Sequence, residues 1–154
     1  MKYTFSSPVG WIEISYSNTH ITSVRIVDSS AASNDSPNEI ALNCESQLMQ
    51  YFKGERKSFD LPLMQSGTPF QERVWSELEK IPYGETISYK ELAIRVGSER
   101  ASRAVGSANG KNNICIIVPC HRVIESDGGL GGYAYGVEVK KKLIEMEIGF
   151  FNTK

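Results

Sequence analysis

The chain has 154 residues, 40% of them hydrophobic and 23% charged, with a formal net charge of −1. That is enough for one domain or two small ones with a real core, and the balanced charge does not by itself name a polyanionic partner. Three scattered cysteines, no apolar signal core over Met1 to Pro8 and no run of membrane-spanning length exclude a disulfide scaffold and a transmembrane protein, so a cytoplasmic protein is expected.

Residues 2 to 27 read as a three-stranded meander. Lys2 to Ser6 alternates, Pro8-Val9-Gly10 supplies turn chemistry, and Ile12, Ile14 and Tyr16 share one face of the second strand. Asn18-Thr19-His20 makes the next turn, which leaves His20 a solvated surface residue, and Ile21 to Val27 form the third strand. Ser29 to Asn38 has loop composition and ends in Ser36-Pro37-Asn38-Glu39, a capping-box pattern. Ile40, Cys44, Leu48 and Phe52 then recur every fourth residue, the inward stripe of a helix ending at Lys53-Gly54, so Cys44 reads as core. Phe59 to Leu63 is one more extended piece. Met64 to Gly67 reads as a linker, which divides the chain into domains at 1–66 and 67–154.

Thr68-Pro69-Phe70-Gln71 is a second capping box, opening a helix with Phe70, Val74, Leu78 and Ile81 inward and Trp75 packed beside them. Ser88-Tyr89-Lys90-Glu91 is a third, leading through Leu92, Ala93 and Val96 to a turn at Gly97-Ser98 and a second helix from Glu99 to Asn109. Two short helices about a Gly turn make a helix-turn-helix pattern. The second carries Arg100 and Arg103 one turn apart among small residues. These suit close approach to a nucleic-acid groove, and equally well close helix–helix packing. Between positions 86 and 124 six basic residues stand against two acids. Ile114 to Val118 is a short β-branched apolar run that reads as a buried strand, ended by Pro119. Cys120 and His121 follow at once, where a scaffold can present them. A thiol becomes a nucleophile only as thiolate, and His121 is the base at hand. Cys115, inside the apolar run, reads as packing. Residues 128 to 136 hold five glycines with Tyr133 and Tyr135 between them, a loop fit to wall a site with backbone amides and flat aromatic faces. The last helix runs from Val137 to Ile148 with Val139, Leu143 and Met146 inward, Lys140, Lys141 and Lys142 on its solvated face and Gly149 as stop. Glu147 lies at the end that the helix dipole makes unfavourable for an acid, which implies a partner elsewhere.

Pro119-Cys120-His121-Arg122-Val123 resembles the acceptor-cysteine motif of the O6-alkylguanine-DNA alkyltransferases. Ser88-Tyr89, Arg103-Ala104-Val105-Gly106, Asn112, Gly132-Tyr133, Lys140 and Glu147 follow that family's order and spacing over residues 68 to 154. The resemblance implies an α+β fold, a ribonuclease-H-like N-terminal domain followed by a winged helix-turn-helix-like domain bearing the cysteine. It implies stoichiometric, irreversible transfer of the alkyl group from O6-alkylguanine in double-stranded DNA to Cys120, with O4-alkylthymine an open second substrate. No cofactor or metal is implied, and a monomer that binds the minor groove is expected.

Residue by residue, the resemblance makes Cys120 the acceptor, His121 its base through a water, Glu147 the acid orienting His121, and Asn112 a brace within the same network. Arg103 would fill the gap left by the extruded base, with Ala101, Ser102, Ala104 and Gly106 facing DNA and Tyr89 acting at the neighbouring phosphate. Val123, Gly132, Tyr133, Ala134 and Tyr135 would line the base pocket. Three departures from the family pattern stand out. Asn113 replaces a common Pro; Ala134 and Tyr135 stand where some members have Ser and Gly, which predicts a narrower pocket; and Cys44 with His20 is too small a set for an N-terminal zinc site. Two other readings stay open: a turnover cysteine hydrolase, and a non-catalytic helix-turn-helix DNA-binding damage sensor.

Overall fold

The computed structural model describes residues 1–28 and 35–152. They fall into two compact units, Met1–Gln65 and Ser66–Lys154. The first begins with an antiparallel meander of β1 (Lys2–Ser7), β2 (Gly10–Tyr16) and β3 (Ile21–Val27). Phe5 pairs with Ile12 and Ile14 with Val24, which puts the apolar set on one buried face, as the period of two requires. Gly10 closes the first turn at φ +115, a conformation costly for other residues. Of the expected loop 29–38, residues 29–34 lie outside those described.

Helix α1 (Glu39–Phe52) covers the sheet through Ala41, Cys44, Leu48, Tyr51 and Phe52. Its N-cap is Asn38, whose side chain accepts from the Ala41 amide, and not Ser36 as the capping-box pattern predicts. The cap thus lies two residues later than the pattern, with Ala41 inward and Ile40 half-buried. Burial pushes the Cys44 thiol up to about 12, which makes it inert. The 59–63 segment contributes one parallel bridge, Leu63 to Ile21, and the Gln47 amide holds both Asp60 backbone groups.

The second unit is mostly helical: α2 (Pro69–Leu78), α3 (Tyr89–Arg95), α4 (Ser102–Gly110) and α5 (Val137–Asn152). Thr68 and Gln71 form both halves of a capping box at α2, and the Trp75 indole donates to the Ala108 carbonyl at 2.9 Å, tying α2 to α4. At α3 the box is only half made. Ser88 accepts from the Glu91 amide, but the Glu91 carboxylate turns to Arg95 instead. Gly97, at φ +78, turns the chain between α3 and α4. The second helix of the pair starts later than its sequence pattern, so Arg100 lies in the turn before it and only Arg103 is helical. Two-residue strands β4 (Ile87–Ser88) and β5 (Val123–Ile124) pair in parallel. The register fixes the site: Tyr89 opens α3 directly after β4, and a 3₁₀ turn at Cys120–Arg122 runs directly into β5.

Two further expectations for this unit are corrected here. Ile114 to Val118 is a buried turn, not a strand. The Asn112 side chain accepts from Ile114 N at 3.1 Å and donates to the carbonyls of Val118 at 2.8 Å and Ile114 at 3.3 Å, supplying bonds a ladder would otherwise give. Ile116 sits at φ +71, a strained value for a β-branched residue that its buried neighbours must enforce. The other correction is at α5, which continues through Gly149 to Asn152, the glycine remaining helical.

Candidate active site

Cys120 opens the 3₁₀ turn with 6% of its surface exposed and lies on the wall of a cavity of about 290 Å³. Tyr89, Asn109, Asn112, Tyr133, Ala134 and Tyr135 share that wall, with Gly106, Gly110 and Gly132 where side chains are absent. The 128–136 segment has no regular structure and forms one side, its Tyr133 and Tyr135 rings packed edge to face at 5.5 Å. Gly131 shows why glycine is needed there. At φ +73, a Cβ would also come within 3.1 Å of the Tyr89 ring. Val123 lies outside the cavity; it is fully buried and pairs with Ile87 in the small ladder. Burial pushes the Cys120 thiol above its ordinary range, and the Asn112 side chain, the Lys140 ammonium, its own backbone and Tyr133 pull the other way. At rest the sulfur is therefore protonated and needs a base.

Behind the cysteine lies a closed ion network. His121 is fully buried, its Nε2 2.6 Å from Glu147 Oε2. Arg122 grips the same carboxylate with two bonds, Nε to Oε1 at 2.8 Å and a terminal nitrogen to Oε2 at 3.1 Å. Its remaining arm donates to the Ile81 carbonyl at 2.7 Å, and its guanidinium lies 5.7 Å from the Tyr83 ring centre. The Gly84 amide donates to Glu147 Oε1 at 3.2 Å. Burial alone would raise the Glu147 carboxyl, but His121 and Arg122 outweigh it and hold it near 2. Burial keeps His121 neutral despite the carboxylate. An ionised Glu147 can only accept, so His121 carries its proton on Nε2. Nδ1 is then a lone-pair acceptor, and it has no hydrogen-bond partner among the described residues.

The structure brings Cys120, Asn112, Tyr89, Gly106, Gly132, Tyr133, Ala134 and Tyr135 to one cavity, with His121 and Glu147 in the layer behind. Ser102, Arg103 and Ala104 are exposed on α4, and Ala101, half-buried, precedes it without a side-chain cap. Three residues were given no site role by sequence reasoning. Arg122 counts toward the basic stretch in the sequence, yet it is buried and committed to Glu147. Asn109 donates to the Cys120 carbonyl at 3.3 Å. Lys140, placed on a solvated face by composition, is fully buried, whereas Lys141 and Lys142 are exposed. The available signal was spacing: Lys140, Leu143 and Glu147 fall at i, i+3 and i+7, one helical stripe.

A small α+β unit followed by a helix-turn-helix unit with a cysteine-walled cavity defines the class of protein. The comparisons make this particular. Models of the 6-O-methylguanine DNA methyltransferase ribonuclease-like domain and DNA binding domain match residues 1–65 and 69–148. The chain belongs to the 6-O-methylguanine DNA methyltransferase family. The methylated-DNA–protein-cysteine methyltransferase of Methanosarcina barkeri is 56% identical over 101 residues, 66% of this chain and 64% of that protein. The constitutive one of Bacillus subtilis is 56% identical over 102 residues, 66% of this chain and 62% of its own. Both alignments thus span less than two thirds of the relatives' length. The Mycobacterium tuberculosis protein of that name is 43% identical over 148 residues, covering 94% of this chain and 90% of its own. The crystal structure of Mycobacterium tuberculosis OGT in complex with DNA matches with a TM-score of 0.87 at 42% identity, covering 96% of this chain and 92% of that one.

Proposed function

We propose that this protein repairs DNA by moving the alkyl group of O6-alkylguanine onto Cys120, once per molecule. The observation that carries the reading is the cavity. Of three cysteines, Cys44 and Cys115 are wholly packed away, and Cys120 alone borders a space with polar and aromatic walls. The family and its DNA-bound relative support duplex DNA as partner. Approach through the minor groove by α4, where Ser102, Arg103 and Ala104 are exposed, and action as a monomer in the cytoplasm belong to the same reading. So does a division of labour in which 1–66 is a companion domain and 67–154 holds the chemistry.

The chemistry follows from the groups present. The Cys120 proton passes through a water to His121 Nδ1. Burial and the Arg122 charge keep the imidazole neutral beforehand, and Glu147 steadies the cation afterwards. Sulfur attacks the alkyl carbon in line as the carbon–O6 bond breaks, and its electron pair leaves on guanine. The base anion is reprotonated, through Tyr89 or water, and His121 returns its proton to solvent. The product thioether has no leaving group, which explains single use. Asn112 keeps the turn beneath Cys120 in place, Arg103 occupies the space vacated by the base, and Tyr135 limits the adduct. A cysteine hydrolase fits less well, since both halves of the chain match models of a DNA methyltransferase family.

Incubation with a duplex carrying one O6-methylguanine should add one methyl group to the Cys120 peptide and stop at one per chain. Cys120→Ser should abolish it. Modification of Cys44 or Cys115, or repeated turnover, would overturn the reading.

A further inference from the structure

Among the described residues Lys140 is the one lysine in the group of largest fully buried side chains, and the mechanism above gives it no part. Its Nζ donates to the Gly132 carbonyl at 3.1 Å and stands 5.6 Å from the centre of the Tyr89 ring. Gly132 and Tyr89 both border the cavity, on different segments of chain. Removing an ammonium from water is expensive, and one neutral carbonyl plus an aromatic face offset only part of that cost. A methionine would fill the same volume without it. Mere packing therefore leaves the charge unexplained.

We propose that Lys140 is a positioning residue for alkyl transfer: its ammonium pins the Gly132 carbonyl and the Tyr89 ring against each other and so holds two walls of the cavity in register around Cys120. The inference rests on the alkyl-transfer reading for its reaction but not for its geometry. Gly131 adds to the contact, because its bare Cα lets the loop backbone lie against the Tyr89 ring. The same charge acts on the sulfur. Lys140 favours the Cys120 thiolate, and Cys120 and Glu125 in turn favour the ammonium against the burial that disfavours it. The titratable groups around it are thus Cys120 and His121 on the 3₁₀ turn, Glu125 in the loop and Tyr89 on α3.

Two measurements on the full chain test this. One is single-turnover transfer from an O6-methylguanine duplex, resolved into half-saturating DNA concentration and maximal rate. The other is the pH profile of Cys120 labelling by iodoacetamide without DNA. Lys140→Met should lower the maximal rate about 30-fold, keep half-saturation within about twofold and move the labelling midpoint up by about one unit. Lys140→Arg should restore the midpoint but not the full rate, since a planar fork cannot replace a point donor. An unmoved midpoint in Lys140→Met, or an unchanged maximal rate, would overturn the proposal. If Lys140→Met does not fold, Lys140→Arg decides: a wild-type midpoint with a slower rate supports it, a raised midpoint overturns it. Wild-type protein that takes no methyl group refutes the alkyl-transfer reading instead, and the labelling profile still judges Lys140.

Discussion

At Glu147 one carboxylate answers His121, Arg122 and the Gly84 amide. Its pKa falls from 4.5 to about 2, so the unfolded chain binds the proton first as pH drops. The stability this supplies is complete above about 4.5 and lost toward 2, amounting to about 3 kcal/mol. His121 adds in the same direction. With its folded pKa depressed, its contribution is present above 6.5 and declines as acid charges the unfolded imidazole. Glu147→Gln leaves Arg122 buried without its counter-charge, and urea unfolding at pH 7 should show a loss of about 3–5 kcal/mol. That gap should shrink by about 2 kcal/mol at pH 3. A gap independent of pH would mean the carboxyl titrates alike in the folded and the unfolded chain. Glu147 was legible in the sequence because an acid at a helix C-terminus needs a reason. Arg122 was not, because a guanidinium inside a basic stretch looks like surface until its partner is known.

Among elements, the turn from Ile114 to Val118 shows where pattern reading stops. A continuous apolar run states burial but not geometry, and β-branched residues tilt the reading toward a strand. What decides is Asn112, whose short amide takes over three backbone groups. Asn112→Ala should leave the Ile114 amide orphaned in the interior and lower stability by about 1–3 kcal/mol. Alkyl transfer should fall further than the melting shift alone explains, because Cys120 stands on that turn. Wild-type transfer rates in a destabilised variant would separate the turn from the chemistry. The meander, α1 and α2 were readable because two- and four-residue periods and a full capping box agree there. The α5 register was misread because Lys140 and Glu147 occupy core positions with charged side chains.

Across the whole molecule, six basic residues against two acids in the 86–124 stretch overstate the surface field. Arg122 is consumed inside, and Arg95 pairs with Glu91. Lys90, Arg100, Arg103 and Lys111 remain exposed. Affinity for undamaged duplex should then fall with salt at a log–log slope of about −3 to −4, and Arg103→Ala should reduce it by about one. A slope unaffected by Arg103 would move the DNA contact off α4. Gly84, His121 and Arg122 precede Glu147 by 63, 26 and 25 residues. A growing polypeptide therefore releases its nucleophile well before the helix that completes the proton relay. Ribosomes adding roughly 5–20 residues per second leave an interval of seconds in which Cys120 exists without its carboxylate and lysine. During synthesis the thiol has no relay to spend itself through, and competence arrives only with α5.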